Sequence, residues 1–326
     1  MGKPKVSVII PTYNCDRYIA EAVESVLNQK NFDDYEIIVI DDGSQDNTEA
    51  VLKAYEKVNY VYQKNQGVAL ARNHGIELAK GELIAFLDAD DYFLRGKLAA
   101  QVRIFEEQPE LGIVHSGWRR VDPEGKALMS VRPWRDVPQL NLENWLRWKP
   151  VLPSAMMFRR HWLKQVGGFN PKYPPAEDTE LVLRLALAGC EAAWLRRVTV
   201  CYRQHESSAM SKGLPQARSL SAAINDFFAQ PNLPERVQLI QRTILHDTYV
   251  WIAWYVYHTG HPKEMVKYLQ EAWSYRIYQP VETIVNWVES FGGYCKNWGE
   301  ELDADALGKL PEWQELMKSL ILNQGM

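Results

Sequence analysis

The sequence is poor in the features that mark several large classes of protein. Its four cysteines lie far apart, at positions 15, 190, 201 and 295, and form no C-x-x-C pair. This spacing argues against a disulfide framework or a zinc ribbon and favours a reducing compartment. No apolar run reaches the about 20 residues of a membrane-crossing helix, and the N-terminal apolar run stops at Pro11, too early for a secretory signal. We therefore expect a cytoplasmic protein, with peripheral contact at the inner face of a membrane left open.

Strong charge and the common nucleotide-binding motifs are also missing. The 37 basic and 41 acidic side chains give a formal net charge of −4, which argues against a nucleic-acid partner. Neither G-x-G-x-x-G nor G-x-x-x-x-G-K-[ST] occurs, so no glycine-rich loop of these kinds holds phosphates. G-x-S-x-G and H-E-x-x-H are absent too, which argues against α/β-hydrolases and zincins. A phosphate-binding site in this chain would need a metal ion.

The chain does contain an alternation of strand and helix patterns. Short apolar runs rich in β-branched residues alternate with segments of helical spacing, which predicts an α/β fold with a mostly parallel sheet flanked by helices. The predicted strands are 6–10, 36–40, 58–62, 83–87, 111–115 and 192–202, and the predicted helices are 16–29, 46–57, 67–80, 95–107 and 177–189. Residues 119–153, with five prolines and three tryptophans, predict a long loop or a short insertion.

The pattern changes to helices alone from about residue 214. Segments 218–229, 235–258, 262–275 and 305–322 have helical patterns, and prolines separate them. We therefore predict an α/β domain over residues 1–214 and a helical C-terminal region over residues 215–326. The strongly apolar stretch 250–258 should be covered by neighbouring helices.

Acidic side chains follow two of the predicted strands. Asp88, Asp90 and Asp91 come after strand 83–87, and Asp41 and Asp42 come at the end of strand 36–40. Ligands of parallel sheets bind at the carboxyl ends of the strands, so both clusters should lie at one edge. Closely packed carboxylates repel one another unless a cation neutralises them, and oxygen ligands favour Mg²⁺ or Mn²⁺. Taken singly, each cluster also fits a solvated turn that caps the next helix.

Six sequence blocks resemble family 2 of the inverting glycosyltransferases, which have the nucleotide-sugar-binding GT-A fold. The blocks are VSVIIPTYN, EIIVIDDGSQDNT, NQGVALARNHGIELAKGELIAFLDADD, GGFN, AEDTELVLRLALAG and YRQHESSAMS, in the order of that family, across residues 5–212. The resemblance does not cover the helical C-terminal region.

The resemblance implies roles for individual residues. Asp178 would be the general base, and Asp90, Asp88 and His205 would hold Mn²⁺ or Mg²⁺. Tyr13 would stack on the base and Asp42 would contact the uracil ring. The full set implied to bind the nucleotide sugar is Pro11, Tyr13, Asp42, Arg72, Asp88 and Glu177.

Several of these residues also fit purely structural roles. The helix dipole favours negative charge at the start of a helix, where the carboxylates at 177, 178 and 180 lie. This preference alone explains their presence, without a catalytic role. The same dipole, with a metal nearby, would keep Asp178 ionised at neutral pH. His205 fits equally well as a polar residue near a strand end. Trp134, Trp145 and Trp148 form either a platform for an acceptor sugar or part of a core.

The activity implied is metal-dependent, inverting transfer of a sugar from a nucleotide diphosphate donor, a UDP-sugar, to a hydroxyl of a saccharide or lipid-linked saccharide. Two alternatives remain. A nucleotidyltransferase of related fold would need a glycine- and arginine-rich phosphate loop after the first strand, where this chain has PTYNCDRYI. A non-catalytic nucleotide-sugar-binding scaffold would not need Asp88, Asp90 and Asp178 together.

Overall fold

The computed structural model describes residues 2–206 and 213–322. The chain divides into two compact units between residues 206 and 207, whereas the sequence predicts the boundary at residue 214. Residues 207–211, which end the last of the six blocks, lie outside the described residues.

The strands of the first unit form one sheet. They are β1 (Val6–Thr12), β2 (Tyr35–Asp41), β3 (Val58–Tyr62), β4 (Leu83–Phe86), β5 (Tyr92–Phe93), β6 (Leu111–Val121), β7 (Ala127–Val131), β8 (Met156–Arg159) and β9 (Glu191–Arg203). Its helices are α1 (Ile19–Leu27), α2 (Thr48–Leu52), α3 (Val68–Leu78), α4 (Lys97–Glu107), α5 (Leu142–Trp148), α6 (Arg160–Gln165) and α7 (Glu177–Leu187), with 3₁₀ turns at Pro133–Arg135 and Pro153–Ala155.

The strand order is β3-β2-β1-β4-β8-β6-β9-β5, and β7 pairs with β6. The α/β fold is confirmed, but the sheet is mixed: β1–β2, β1–β4, β2–β3 and β6–β9 pair in parallel, and β4–β8, β6–β8, β5–β9 and β6–β7 pair antiparallel. The connection from β6 to β7 has only residues 122–126, which is enough for a hairpin and too short for a parallel crossover.

The centre of the sheet accounts for the apolar runs in the sequence. All seven residues of β1 are buried, as in a strand covered on both faces. Helix α3 packs closely over β1, where Gly75 faces Ile9: a Cβ at Gly75 would lie 2.4 Å from Ile9 Cγ2. The absence of that side chain brings α3, and the polar residues it carries, close to the sheet.

Residues 119–153 are more structured than the predicted loop. They contain the end of β6, β7, α5 and the turn at Pro133–Arg135, and β8 and α6 follow where the sequence predicted nothing. These elements are short, so periodicity gives little signal. Helix α5 depends instead on a cap, since Asn141 Oδ1 accepts a hydrogen bond from the Asn144 N–H at 2.9 Å.

The second unit is helical over its described residues. Its helices are α8 (Leu214–Phe228), α9 (Glu235–His258), α10 (Pro262–Ser274), α11 (Pro280–Trp298), α12 (Ala304–Lys309) and α13 (Pro311–Leu322). The sequence missed α11, although Thr283, Trp287, Phe291 and Cys295 recur at every fourth position and are buried. The single helix predicted over 305–322 is two, because Pro311 begins α13.

The apolar stretch of α9 is buried, as predicted. Residues 252–256 are inaccessible, and α9 packs against α8, α10 and α11. Within the described residues, no helix combines the length and the apolar character needed to cross a membrane.

Candidate active site

Three adjacent parallel strands end at the same edge of the sheet. Thr12, at the end of β1, pairs with Asp41 of β2, and the Leu87 N–H donates to the Ile9 carbonyl at 3.0 Å as the chain leaves β4. Tyr13 and Asp42 follow β1 and β2 directly, and Asp88 follows β4 after Leu87, so the carboxyl edge collects the acidic clusters that the sequence placed there.

The loop after β4 presents two of its three carboxylates. The side chains of Asp88 and Asp90 are 27% and 28% exposed, whereas Asp91 is buried. Asp91 Oδ1 accepts a hydrogen bond from the Arg203 N–H at 3.0 Å, which ties the loop to β9. Burial raises the pKa of Asp91 well above its ordinary value, and the charges of Asp90 and Asp88 raise it further. Asp91 therefore supports the loop, and Asp88 and Asp90 remain accessible to a ligand.

The end of β9 places His205 against this loop. His205 Nε2 lies 2.9 Å from Asp90 Oδ2, and its ring centroid lies 5.4 Å from that of Tyr18. Arg203, which is buried, donates from Nε to the Asp90 carbonyl at 2.9 Å and also pairs with Glu21. Sequence reasoning gave Arg203 no role, although a charged residue that ends a predicted strand inside a recognised block was a usable signal.

The donor atoms around Asp90 fit a hard divalent cation. Among residues 2–206 and 213–322, no group of three Asp, Glu, His or Cys side chains is already arranged as a metal centre. Even so, Asp88 and Asp90 offer carboxylate oxygens, and His205 offers a nitrogen within hydrogen-bond distance of Asp90. Oxygen-rich sites of this kind suit Mg²⁺ or Mn²⁺.

Asp42 accepts three hydrogen bonds from within the chain. Its Oδ1 accepts from Gln63 Nε2 at 2.7 Å and from the Gln66 N–H at 2.9 Å, and its Oδ2 accepts from the Gly67 N–H at 2.7 Å. The two backbone donors immediately precede α3, so the Asp42 carboxylate stabilises the start of that helix. Pro11 is buried within β1, and the ring of Tyr13 is half exposed at the same edge.

The carboxylates predicted at 177 and 178 lie in the first turn of α7. Glu177 is buried, and its Oε1 accepts a hydrogen bond from Arg72 Nη1 at 2.7 Å. Asp178 is partly exposed, and its Oδ1 accepts from the Thr179 N–H at 2.6 Å. Poor solvation raises the pKa of Asp178 to about 7, with a further contribution from the charge of Glu177 that Arg72 only partly offsets. Without a bound cation, the helix dipole alone does not offset this poor solvation, and the expectation that dipole and metal together keep Asp178 ionised stays a prediction.

Arg72 joins this helix to the loop after β4. Its Nη2 donates to Asp88 Oδ1 at 2.7 Å while its Nη1 serves Glu177. Burial would lower the pKa of Arg72, but the charges of Asp88 and Glu177 outweigh it and raise that pKa. The structure thus brings Arg72, Asp88, Glu177 and Asp178 together, from three separate elements.

The three predicted platform tryptophans do not share one surface. Trp145 is buried, and its ring stacks with that of His115 at 6.1 Å, whereas Trp148 is exposed. Trp134 packs edge-on against Trp194 at 6.3 Å. Packing therefore accounts for Trp145, and the three rings cannot form a single acceptor platform.

Comparison with known proteins places this chain within one class. Residues 7–167 match the family described as "Glycosyl transferase family 2". An uncharacterized glycosyltransferase from Nostoc sp. is 31% identical over 257 residues, which cover 72% of this chain and 79% of that protein. An uncharacterized glycosyltransferase from Rickettsia bellii is 43% identical over 130 residues, but these cover 39% of this chain and only 19% of that protein. The chondroitin synthase of Escherichia coli is 30% identical over 190 residues, or 57% of this chain and 27% of that protein.

Solved structures share the fold at low sequence identity. The mannosyltransferase PcManGT from Pyrobaculum calidifontis, in complex with GDP-Man and Mn²⁺, matches with a TM-score of 0.63 and 19% identity, over 89% of this chain and 85% of that one. Residues 1–349 of TarS from S. aureus, in complex with UDP-GlcNAc, match with a TM-score of 0.58 and 19% identity, over 91% and 92%. The fold is therefore that of the GT-A glycosyltransferases. The chain belongs to glycosyltransferase family 2.

Proposed function

We propose that the protein transfers a sugar from a nucleotide diphosphate donor, a UDP-sugar, to a hydroxyl acceptor, with inversion at the anomeric carbon. The observation that carries this proposal is Asp178: a partly exposed carboxyl with its pKa raised to about 7, in a helix that Glu177 and Arg72 join to Asp88. A general base works best when its pKa lies near the working pH. The family supplies the reaction class, and the TarS complex with UDP-GlcNAc supports a UDP-sugar donor.

In the proposed single displacement, Asp178 takes the proton of the acceptor hydroxyl. The hydroxyl oxygen forms the new bond to the anomeric carbon, and the bond from that carbon to the diphosphate oxygen breaks, so the diphosphate leaves with the electron pair. Asp178 Oδ1 already accepts the Thr179 N–H, which leaves Oδ2 to receive the proton. One displacement from the face opposite the leaving group inverts the configuration.

Asp90, Asp88 and His205 are the residues that would hold Mn²⁺ or Mg²⁺. When bound, the ion would neutralise the charge that develops on the departing diphosphate. Asp42, Pro11 and Tyr13, at the ends of β1 and β2, would form the nucleoside side of the site, with the half-exposed ring of Tyr13 against the base. We propose a saccharide or lipid-linked saccharide as acceptor, in polysaccharide or glycoconjugate synthesis, which the similarity to a chondroitin synthase supports. Cytoplasmic location and peripheral membrane contact stay predictions.

A donor panel tests the proposal without knowledge of the acceptor. The protein is incubated with individual UDP- and GDP-sugars and Mn²⁺, and release of the nucleoside diphosphate is measured. We expect slow UDP release from at least one UDP-sugar, and its loss when EDTA is added. Release of GDP alone would move the donor to the GDP-sugars. Absence of both release and UDP binding, measured by calorimetry with Mn²⁺, would contradict the proposal, whereas UDP binding without release from any donor would favour the non-catalytic scaffold.

A further inference from the structure

Two distant parts of the chain form the proposed site, and one buried side chain touches both. Arg72 of α3 is 2.7 Å from Asp88 in the loop after β4 and 2.7 Å from Glu177 at the start of α7. The side chains of Arg72 and Glu177 are 6% and 4% exposed. A planar guanidinium can serve two carboxylates at once, whereas a lysine ammonium is a single compact charge on a flexible stem.

Asn73, the next residue of α3, forms hydrogen bonds with the chain segment that precedes α7. Asn73 Nδ2 donates to the Phe169 carbonyl at 2.8 Å, and Asn73 Oδ1 accepts from the Phe169 N–H at 2.7 Å. The approach depends on Gly168, which has a φ of +72° and where a Cβ would lie 2.3 Å from Asn73 Oδ1. From α7 itself, Arg184 Nη2 donates to the Gly168 carbonyl at 2.8 Å. Side chains of both α3 and α7 therefore form hydrogen bonds with the backbone of Gly168 and Phe169.

The geometry leaves Arg72 little exposed surface for a substrate, because only 6% of its side chain is exposed. Both of its Nη atoms already serve carboxylates, and the ring of Phe169 lies 5.1 Å from its Cζ. Its Nε is buried and has no hydrogen-bond partner among the described residues. These contacts indicate that Arg72 links two parts of the site. They do not favour the contact with the nucleotide sugar that the family resemblance implies for Arg72.

We propose that Arg72 is a positioning residue, which sets the start of α7, and so Asp178, relative to the carboxylate loop after β4. The inference rests on the proposed function and assigns Arg72 a part in it. Asp178 is the neighbour of Glu177, so any shift of Glu177 moves the base. A displacement of about 1 Å can cost about 10²-fold in rate when a reacting group must be aligned.

The Arg72→Lys variant separates positioning from donor binding. We expect kcat for diphosphate release to fall by about 10- to 100-fold, while the donor KM and the Kd for UDP with Mn²⁺ stay within about threefold of wild type. A kcat close to wild type, with a KM or Kd raised about tenfold or more, would mean that Arg72 binds the donor and would overturn the inference. Arg103→Lys is the matched control, because Arg103 pairs with Glu107 on the exposed face of α4.

A double-mutant cycle tests the link itself. Glu177→Gln removes the other end of the same ion pair, so Arg72→Lys should add little to the loss of kcat that it causes alone. Multiplication of the two losses would show that the residues act independently and would overturn the inference. Circular dichroism of each variant checks that it folds.

The inference and the proposed function can fail separately. If wild-type protein neither binds UDP nor releases diphosphate from any donor, the proposed function is wrong. The cycle of Arg72→Lys and Glu177→Gln is then read in urea unfolding, where shifts of the midpoint that do not add support the link. Shifts that simply add would overturn it whether or not the protein is active.

Discussion

Two carboxylates of the site, those of Asp42 and Asp178, lie near the N-termini of helices but differ in burial and in the number of hydrogen bonds that they accept. Asp42, near the start of α3, is buried and accepts three hydrogen bonds, two of them from backbone N–H groups. Asp178, in the first turn of α7, is partly exposed and accepts one from the Thr179 N–H, with the acidic Glu177 beside it. A helix start favours negative charge in both cases. The number of donors, and the charge of the neighbours, determine what each carboxylate can do.

The difference separates an anchoring role from a chemical one. The Asp42 carboxylate accepts hydrogen bonds from the backbone just before α3, the helix that carries Arg72 and Asn73. Asp42 therefore stabilises the position of α3, and it also lies at the carboxyl edge of the sheet, where the proposed site is. Asp178 has fewer donors to stabilise its charge, and its raised pKa makes proton uptake accessible near neutral pH. If this comparison is right, removing Asp178 should affect the rate, and removing Asp42 should affect binding and stability.

The largest expected effect is that of Asp178→Asn on the rate. Asparagine keeps the size of the side chain, and its Oδ1 can still accept the Thr179 N–H, so folding and UDP–metal binding should survive. It cannot take up a proton at neutral pH, so transfer should fall by about 10²- to 10⁴-fold, the usual contribution of a general base. The measurement is transfer rate at saturating donor, once donor and acceptor are known.

A matched position provides the control for this variant. Asp305 is the second residue of α12, as Asp178 is of α7, and it is exposed. Asp305→Asn should leave the rate at its wild-type value. A rate within a few-fold of wild type for Asp178→Asn would place the base elsewhere, and Glu177→Gln would be the next variant to measure.

Asp90→Ala should remove the metal dependence of nucleotide binding. Asp90 is the accessible carboxylate beside His205, so its loss should reduce the affinity for UDP with Mn²⁺ by at least about 10²-fold, since outer-shell partners alone often account for 10- to 100-fold. Titration calorimetry with and without EDTA measures this. Undiminished binding that EDTA still abolishes would remove Asp90 from the proposed metal site.

Asp42→Ala should have a smaller effect, spread over binding and stability. A lost hydrogen bond to a charged group costs about 1.5–3 kcal/mol, which is the expected loss of UDP binding energy. Because Asp42 also accepts the Gln66 and Gly67 N–H groups, the variant should unfold at a lower temperature, by about 2–4 °C for each kcal/mol lost in a unit of this size. The metal dependence should remain. Equal UDP affinity in variant and wild type would show that Asp42 does not face the nucleotide.

Much of the fold was predictable because long elements carry a clear period. The buried strand β1 and the helix α9 were readable from apolar pattern alone. Helix α11 was missed because its valines, threonine and paired glycines are poor helix formers, and packing of Trp287 and Phe291 compensates for them. The mixed pairing of the sheet was not readable, since β8 has four residues and enters between β4 and β6 from far along the chain.

The site was only partly predictable. Residue types at strand ends pointed to Asp42, Asp88 and Asp90 without any structure. The ion pair of Arg72 with Glu177 and the hydrogen bonds of Asn73 join residues about a hundred positions apart, and no local pattern reports such contacts. The pKa of Asp178 depends on burial and on Arg72 and Glu177 together, and so could be judged only in the folded chain.

The smallest of the expected effects is the change of kcat with pH. It distinguishes the role of Asp178 from that of Asp42 most directly. Asp178 must be deprotonated to accept a proton, and its surroundings raise its pKa to about 7 through poor solvation and the charges of Glu177 and Asp88, against the opposing charge of Arg72. The active form therefore grows as pH rises, and kcat at pH 8 should be about ten times that at pH 6. For Asp178→Asn the residual rate should be flat over the same range, whereas Asp42→Ala should keep the wild-type profile. A wild-type profile without a rise between pH 6 and pH 8 would mean that Asp178 is already ionised at pH 6 or is not the base, and a rise retained in Asp178→Asn would assign it to another group.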